Sequence, residues 1–207
     1  GLDPATLGLR CRAGSIRPAS ADASFRRYFR LATESPATPT VIAMDAPGPH
    51  EDCEPFVRIG ALFAGAGMNT PNILASDLVN GFVLLQDFGQ RTLLEEIRNL
   101  PKSADRYYRL ACQQLTILQQ HSEPAVLPDY DHATLLRELK LFDEWYLRRH
   151  LGWQPDDAEQ AVLNDAYQAI ITNNLAQPRV YVHRDYHSRN LMVINPGTSE
   201  KDALGVI

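Results

Sequence analysis

The hydrophobic period of this 207-residue chain changes once, and that change constrains its fold more than any other feature. Before residue 90 the apolar residues come in short runs, at 40–44, 72–76 and 81–85, broken by Pro, Gly and Asn. With residues 15–18 and 28–32 they predict an antiparallel sheet. The run at 81–85 is almost wholly apolar, which predicts an interior strand. One helix interrupts the strands: Glu51, Asp52 and Glu54 precede Pro55, and residues 56–64 carry apolar side chains at helical spacing before Gly65 and Gly67. From Thr92 onward the period is helical. Thr92 and Glu95 have the form of a capping box, and residues 106–121, 135–150 and 157–174 read as helices. The second of these places Leu135, Leu139, Phe142 and Tyr146 on one face, so Phe142, Trp145 and Tyr146 read as helix core. The chain then returns to strand at 179–182 and ends in a hairpin of 191–194 and 204–207 around Asn195, Pro196 and Gly197. A strand-rich part with one helix, then a helical part, predicts an α+β protein of two lobes, residues 1–88 and 89–207.

Composition narrows the classes of function. Hydrophobic residues at 44% and charged residues at 22% are ordinary for a globular chain, which argues against disorder. No apolar run is long enough for a bilayer, and residues 1–10 lack the form of a secretory signal, so a cytoplasmic protein with no membrane partner is expected. A net charge of -5 gives no global footprint for nucleic acid. Cys11, Cys53 and Cys112 are odd in number and far apart, which predicts reduced, structural thiols.

The chemistry concentrates between residues 181 and 191, where His183-Arg184-Asp185, four residues and Asn190 stand between two apolar runs. This is the spacing of a kinase catalytic loop, in which the Asp orients the attacking hydroxyl and the Asn turns back to a magnesium ion. Two other readings exist. One is a polar loop that caps its own backbone. The other is a metal-dependent hydrolase in which His183, Asp185 and His187 share one side of an extended segment and ligate a metal.

The loop resembles that of the aminoglycoside phosphotransferase and choline kinase superfamily. More narrowly, Ala23-Ser24-Phe25-Arg26-Arg27-Tyr28-Phe29-Arg30, Gly81-Phe82-Val83-Leu84-Leu85-Gln86-Asp87-Phe88-Gly89 and Leu139-Lys140-Leu141-Phe142-Asp143-Glu144-Trp145 resemble a bacterial branch of sugar kinases. That branch includes an enzyme that phosphorylates the anomeric hydroxyl of N-acetylmuramic acid and N-acetylglucosamine in cell-wall recycling. The resemblance implies a two-lobed protein-kinase-like fold with an antiparallel-sheet, nucleotide-binding N-lobe and a mainly helical C-lobe. It also implies ATP and Mg2+ as cofactors and a small-molecule sugar as acceptor. Asp185 would be the base, His183 a support for the loop, Asn190 a magnesium ligand, and His187 a further contact of loop or substrate. Ser24, Phe25 and Arg26 would cover the nucleotide phosphates, and Gln86, Asp87 and Phe88 would form the hinge that holds adenine. Asp143 and Glu144 read as a solvated face and as the acidic candidates for sugar hydroxyls.

Two departures accompany the resemblance. Met44 stands where the family has a third-strand Lys, so Arg26, Arg27 or Arg30 is expected to supply the phosphate cation, and Glu51 or Glu54 loses its usual partner. Asp87-Phe88-Gly89 spells the kinase metal triplet but precedes the loop, so it reads as hinge. The metal-binding Asp is expected directly after a strand such as 204–207, which makes the C-lobe incomplete and the 207 residues alone inactive. Other acceptors, aminoglycosides or small alcohols, and a catalytically dead nucleotide-binding relative stay open.

Overall fold

The computed structural model describes residues 8–21, 25–48, 51–194 and 203–207. Its first element is a five-stranded antiparallel sheet of β1 (Arg17–Ala21), β2 (Arg27–Ala32), β3 (Thr40–Asp45), β4 (Ile73–Asp77) and β5 (Phe82–Gln86), in the order β1-β2-β3-β5-β4. The almost wholly apolar run is interior, as its composition predicts, because both faces of β5 need cover. Between β3 and β4 runs α1 (Glu54–Gly65), with Pro55 in its first turn and Glu54 at its positive end.

Register decides what faces α1. Tyr28 pairs with Met44, Arg30 with Ile42, and Met44 with Val83. Opposed residues share a face, so these side chains point to one side of the sheet. There Met44, Ala46, Cys53, Val83 and Leu85 form a buried cluster, with Tyr28, Ile42, Phe56, Val57 and Ile73 packed on it. Gly81 is required beside this cluster: its φ is +74°, and a Cβ would lie 2.0 Å from the carbonyl oxygen of Ala46. No side chain fits there.

Two compact units divide the chain, one of residues Gly1–His121 with Val182–Ile207, the other Ser122–Tyr181. The first adds α2 (Leu93–Asn99), a 3-10 turn at Pro101–Ser103, α3 (Ala104–Gln120) and a hairpin of β6 (Leu191–Ile194) and β7 (Ala203–Val206). Thr92 and Glu95 do form the capping box of α2. The residues expected at the tip of the hairpin, 195–197, lie outside the described residues.

The second unit holds α4 (His132–Leu141), a π-helical continuation (Phe142–His150) and α5 (Asp157–Leu175). Here two expectations fail. Phe142, Trp145 and Tyr146 are exposed, and Leu147 is the buried residue of the segment. Hydrogen bonds to the fifth residue instead of the fourth widen each turn, so the stripe read at 3.6 residues per turn rotates off the core. Residues 179–182 form no strand: the Tyr181 N–H donates to Ser122 Oγ at 2.7 Å instead of to a neighbouring strand. Asp143 accepts from the Tyr167 hydroxyl, and burial together with that carboxylate pushes the Tyr167 phenol well above its ordinary value. Among the described residues no helix is long and apolar enough to cross a membrane.

Candidate active site

The loop from His183 to Asn190 is held from three sides by ordinary packing and backbone bonds. Tyr186 turns inward and donates from its hydroxyl to the Ala111 carbonyl of α3 at 2.8 Å. Burial, and after it the nearby Cys112, push that phenol up to about 12, so it stays a neutral donor. His183 packs between Phe63 of α1, with ring centres 5.7 Å apart, and Tyr186, edge-on at 5.4 Å. Burial lowers the His183 pKa, only partly opposed by the charge of Asp185, so the ring is neutral near pH 7. On the backbone side, Leu94 donates to Ser188 O at 2.9 Å, Val193 to Arg91 O at 2.8 Å and Ile207 to Asn190 O at 3.0 Å.

Between His183 and Asp185, Arg184 adopts φ +74°, which L side chains rarely take. Its left-handed turn breaks the alternation of an extended chain. His183 therefore points into the core while the Asp185 side chain is 70% exposed. This removes the metal-cluster reading: His183 does not converge with Asp185 and His187, and among the described residues no group of three such ligands forms.

Asp185 is instead tied to Asn190 and His187. Asn190 Nδ2 donates to Asp185 Oδ2 at 2.7 Å and to its backbone oxygen at 3.1 Å. His187 Nε2 lies 3.2 Å from Asp185 Oδ1, and its Nδ1 accepts from the Arg189 N–H at 3.2 Å. The Asn190 N–H closes the turn on His187 O at 2.9 Å. A carboxylate has about four acceptor positions, so two such contacts orient it and leave room for a hydroxyl proton. Because Asn190 uses its NH2 toward Asp185, its amide oxygen is the group that would face a cation. An amide and a carboxylate oxygen are hard donors, which fit magnesium better than zinc.

The sheet presents the residues expected around a nucleotide, with their charges paired. Ser24 lies outside the described residues. Phe25 is exposed, and its N–H donates to Glu51 Oε1 at 3.1 Å. Arg26 Nε lies 3.2 Å from Glu51 Oε2, with its guanidinium 5.8 Å from the centre of the Phe56 ring. Arg27 pairs with Asp45 directly across β3. Arg30 makes a two-pronged bond to Asp87, from Nε at 2.5 Å and from Nη2 at 3.0 Å, and a third bond to Gly89 O at 2.7 Å. Asp87 has a side chain only 2% exposed. Burial raises its pKa, but bonds from Arg30, Thr40 and the Gly89 N–H outweigh burial and hold it below the usual carboxylate range.

Gln86 uses its backbone N–H toward Asn72 O at 2.9 Å, and Phe88 packs on Gly205, where a Cβ would come within 2.4 Å of its ring. Arg30 and Thr40 hold the Asp87 carboxylate, partners that sequence reasoning missed, and the Gly89 N–H bond to Asp87 Oδ1 at 2.8 Å is the Asx-turn that an Asp followed by Gly two residues on signals. In the second unit, Asp143 and Glu144 line a polar cleft of about 330 Å³ with Lys140, Arg148, Gln160 and Asn164. Glu144 is also paired with Arg149 at 2.8 Å.

Comparison with known proteins identifies the family and the fold. The profile of the family described as "Phosphotransferase enzyme family" matches residues 15–207. A Pseudomonas aeruginosa protein named N-acetylmuramate/N-acetylglucosamine kinase is 47% identical over 190 residues, 90% of this chain and 55% of its own length. One of the same name from Neisseria meningitidis is 39% identical over 191 residues, 90% of this chain and 56% of its own. Among solved structures, a choline/ethanolamine kinase family protein from Mesorhizobium loti superposes with a TM-score of 0.60 at 14% identity, over 94% of this chain and 57% of that one. The chain thus has the kinase-like α+β fold, and spans about half the length of the curated relatives it matches.

Proposed function

Since the chain belongs to the phosphotransferase enzyme family, we propose that it forms the nucleotide-binding and catalytic-loop part of an ATP-dependent sugar kinase. The acceptor is the anomeric hydroxyl of N-acetylmuramic acid or N-acetylglucosamine, the sugars in the relatives' names. One observation carries the reading: the exposed Asp185 carboxylate is aimed by Asn190 at 2.7 Å on a loop fixed from behind by Tyr186 and His183.

Asp185 orients the sugar hydroxyl and takes its proton. The hydroxyl oxygen forms a bond to the γ-phosphorus as the bond to the β,γ-bridging oxygen breaks, and that electron pair leaves with ADP. Asn190, through its amide oxygen, would hold a magnesium ion, which supplies neutralisation of phosphate charge when bound. His183 stays neutral and holds the loop by packing. His187 steadies the second carboxylate oxygen of Asp185. We place adenine against the backbone of Asp87 and Phe88, with Gln86 bracing them from β5, and the phosphates beside Phe25, Arg26 and Ser24. Residues 1–88 act as the nucleotide lobe and 89–207 as the catalytic one, in the cytoplasm where ATP is supplied. Asp143 and Glu144 serve the acceptor's hydroxyls.

One observation favours a second reading. Met44 is fully buried where a phosphate-binding cation would stand, as in a nucleotide binder without turnover. The two are separated by measuring sugar-dependent ADP release with magnesium, on a chain extended past Ile207 to the length of the relatives, for the parent and for Asp185→Asn. Release that disappears in the variant while ATP still binds supports the kinase. Equal release in both removes Asp185 from the chemistry, and none in either leaves the inert binder.

A further inference from the structure

We infer that Arg26, held by Glu51, is the cation that takes the nucleotide phosphates in place of a third-strand lysine. This deepens the kinase reading and rests on it. Protein kinases place that charge on β3 and pair it with a carboxylate of the N-lobe helix. Here β3 reads Thr-Val-Ile-Ala-Met-Asp, with no cation, and Met44 is sealed in the apolar cluster against α1. The function has moved one strand over.

Register shows where it went. Tyr28 stands opposite Met44, and Arg26, two residues before Tyr28, continues the same face of the sheet. Its contacts agree with that placement. The guanidinium lies over Phe56, which packs on the Met44 cluster. Burial pushes the thiol of Cys53, in the same cluster, up, and the charge of Arg26 is the largest influence pulling it back. The Arg26 side chain keeps 26% of its surface, unlike Met44.

Glu51 supplies the carboxylate just before α1. One of its oxygens takes the Phe25 N–H and the other faces Arg26 Nε. The two adjacent contacts fix both the backbone and the side chain of the residues preceding β2. Arg27 and Arg30 are poorer candidates. Arg27 is opposed to Asp45 on the other face, and Arg30 is bound three times at the hinge.

The test is equilibrium binding of adenosine, ADP and magnesium-ATP to the chain and to Arg26→Met, Arg26→Lys and Glu51→Gln. A phosphate cation predicts that Arg26→Met weakens ADP and ATP by about tenfold or more, leaves adenosine within about twofold, and is partly restored by Arg26→Lys. Glu51→Gln, which keeps every cation, should weaken ATP by about threefold to fivefold and have no added effect once Arg26 is Met. An unchanged ratio of ATP to adenosine affinity in Arg26→Met would overturn the inference and spare the kinase reading. Tighter ATP binding in Glu51→Gln would overturn it too, by making Glu51 a competitor of phosphate. If the parent chain binds adenosine and ATP alike, the kinase reading itself fails first.

Discussion

The arginines of the sheet and the polar side chains of the loop are treated in opposite ways. Arg26, Arg27 and Arg30 each face a carboxylate, and the Arg30 to Asp87 pair is nearly closed to water. Asp185, His187 and Asn190 bond to one another within six residues of chain, and Asp185 and His187 stand in solvent. The closed Arg30 to Asp87 pair defines a shape, because separating it leaves an uncompensated ion. Exposed, locally bonded groups contribute little to folding and keep acceptor capacity for a substrate. Between the Arg30 to Asp87 pair and the loop, rigidity and open acceptor capacity are therefore supplied by different residues, while Arg26 is paired yet keeps part of its surface open.

The largest test of that division is Asp185→Asn, which should lower turnover about 1000-fold while the urea midpoint stays within error. Marked destabilisation would mean that the loop does structural work after all. Next, Met44→Lys should cost about 4 kcal/mol in urea unfolding, since it places a charge at a position with no exposure in the buried cluster. A variant that stays stable and binds ATP more tightly would return the phosphate cation to β3 and refute the role given to Arg26.

Asp87→Asn comes third, at about 3 kcal/mol, by leaving Arg30 without its partner. It also carries a pH signature. The folded pKa of Asp87 lies below its ordinary value, so its contribution is present above about pH 4 and is lost as pH falls through the lower folded value. The variant should flatten that acid limb, read as urea midpoint against pH. Trp145→Ala, on the exposed side of the π-helical segment, should change stability by no more than about 0.5 kcal/mol.

Much of this was readable in advance where the physics is local. The strands follow from short apolar runs between breakers, α2 from its capping box, and the loop from three residues at fixed spacing. What escaped the sequence depends on geometry that spacing does not encode. Phe142 and Tyr146 read as core only while the helix keeps 3.6 residues per turn. His183 and Asp185 read as neighbours on one side only while Arg184 is extended, and its φ of +74° separates them. The bonds from Arg30 to Asp87 span 57 positions, and the bond from the Phe25 N–H to Glu51 spans 26. Such partners are chosen by sheet register, not by any local pattern.

The bond from Asn69 Nδ2 to Leu204 O, 3.1 Å long across 135 positions, has a consequence for how this molecule is made. Asn69 also takes the Val206 N–H on its backbone oxygen, so the residues just after α1 are stitched to β7, the strand that backs the loop. During synthesis the sheet and α1 can assemble as they emerge, because their strand pairings close within residues 17–86. The loop of Asp185 has no β7 to lean on until more than a hundred further residues have left the ribosome. Nascent chains halted earlier should carry a formed sheet and an unformed catalytic loop.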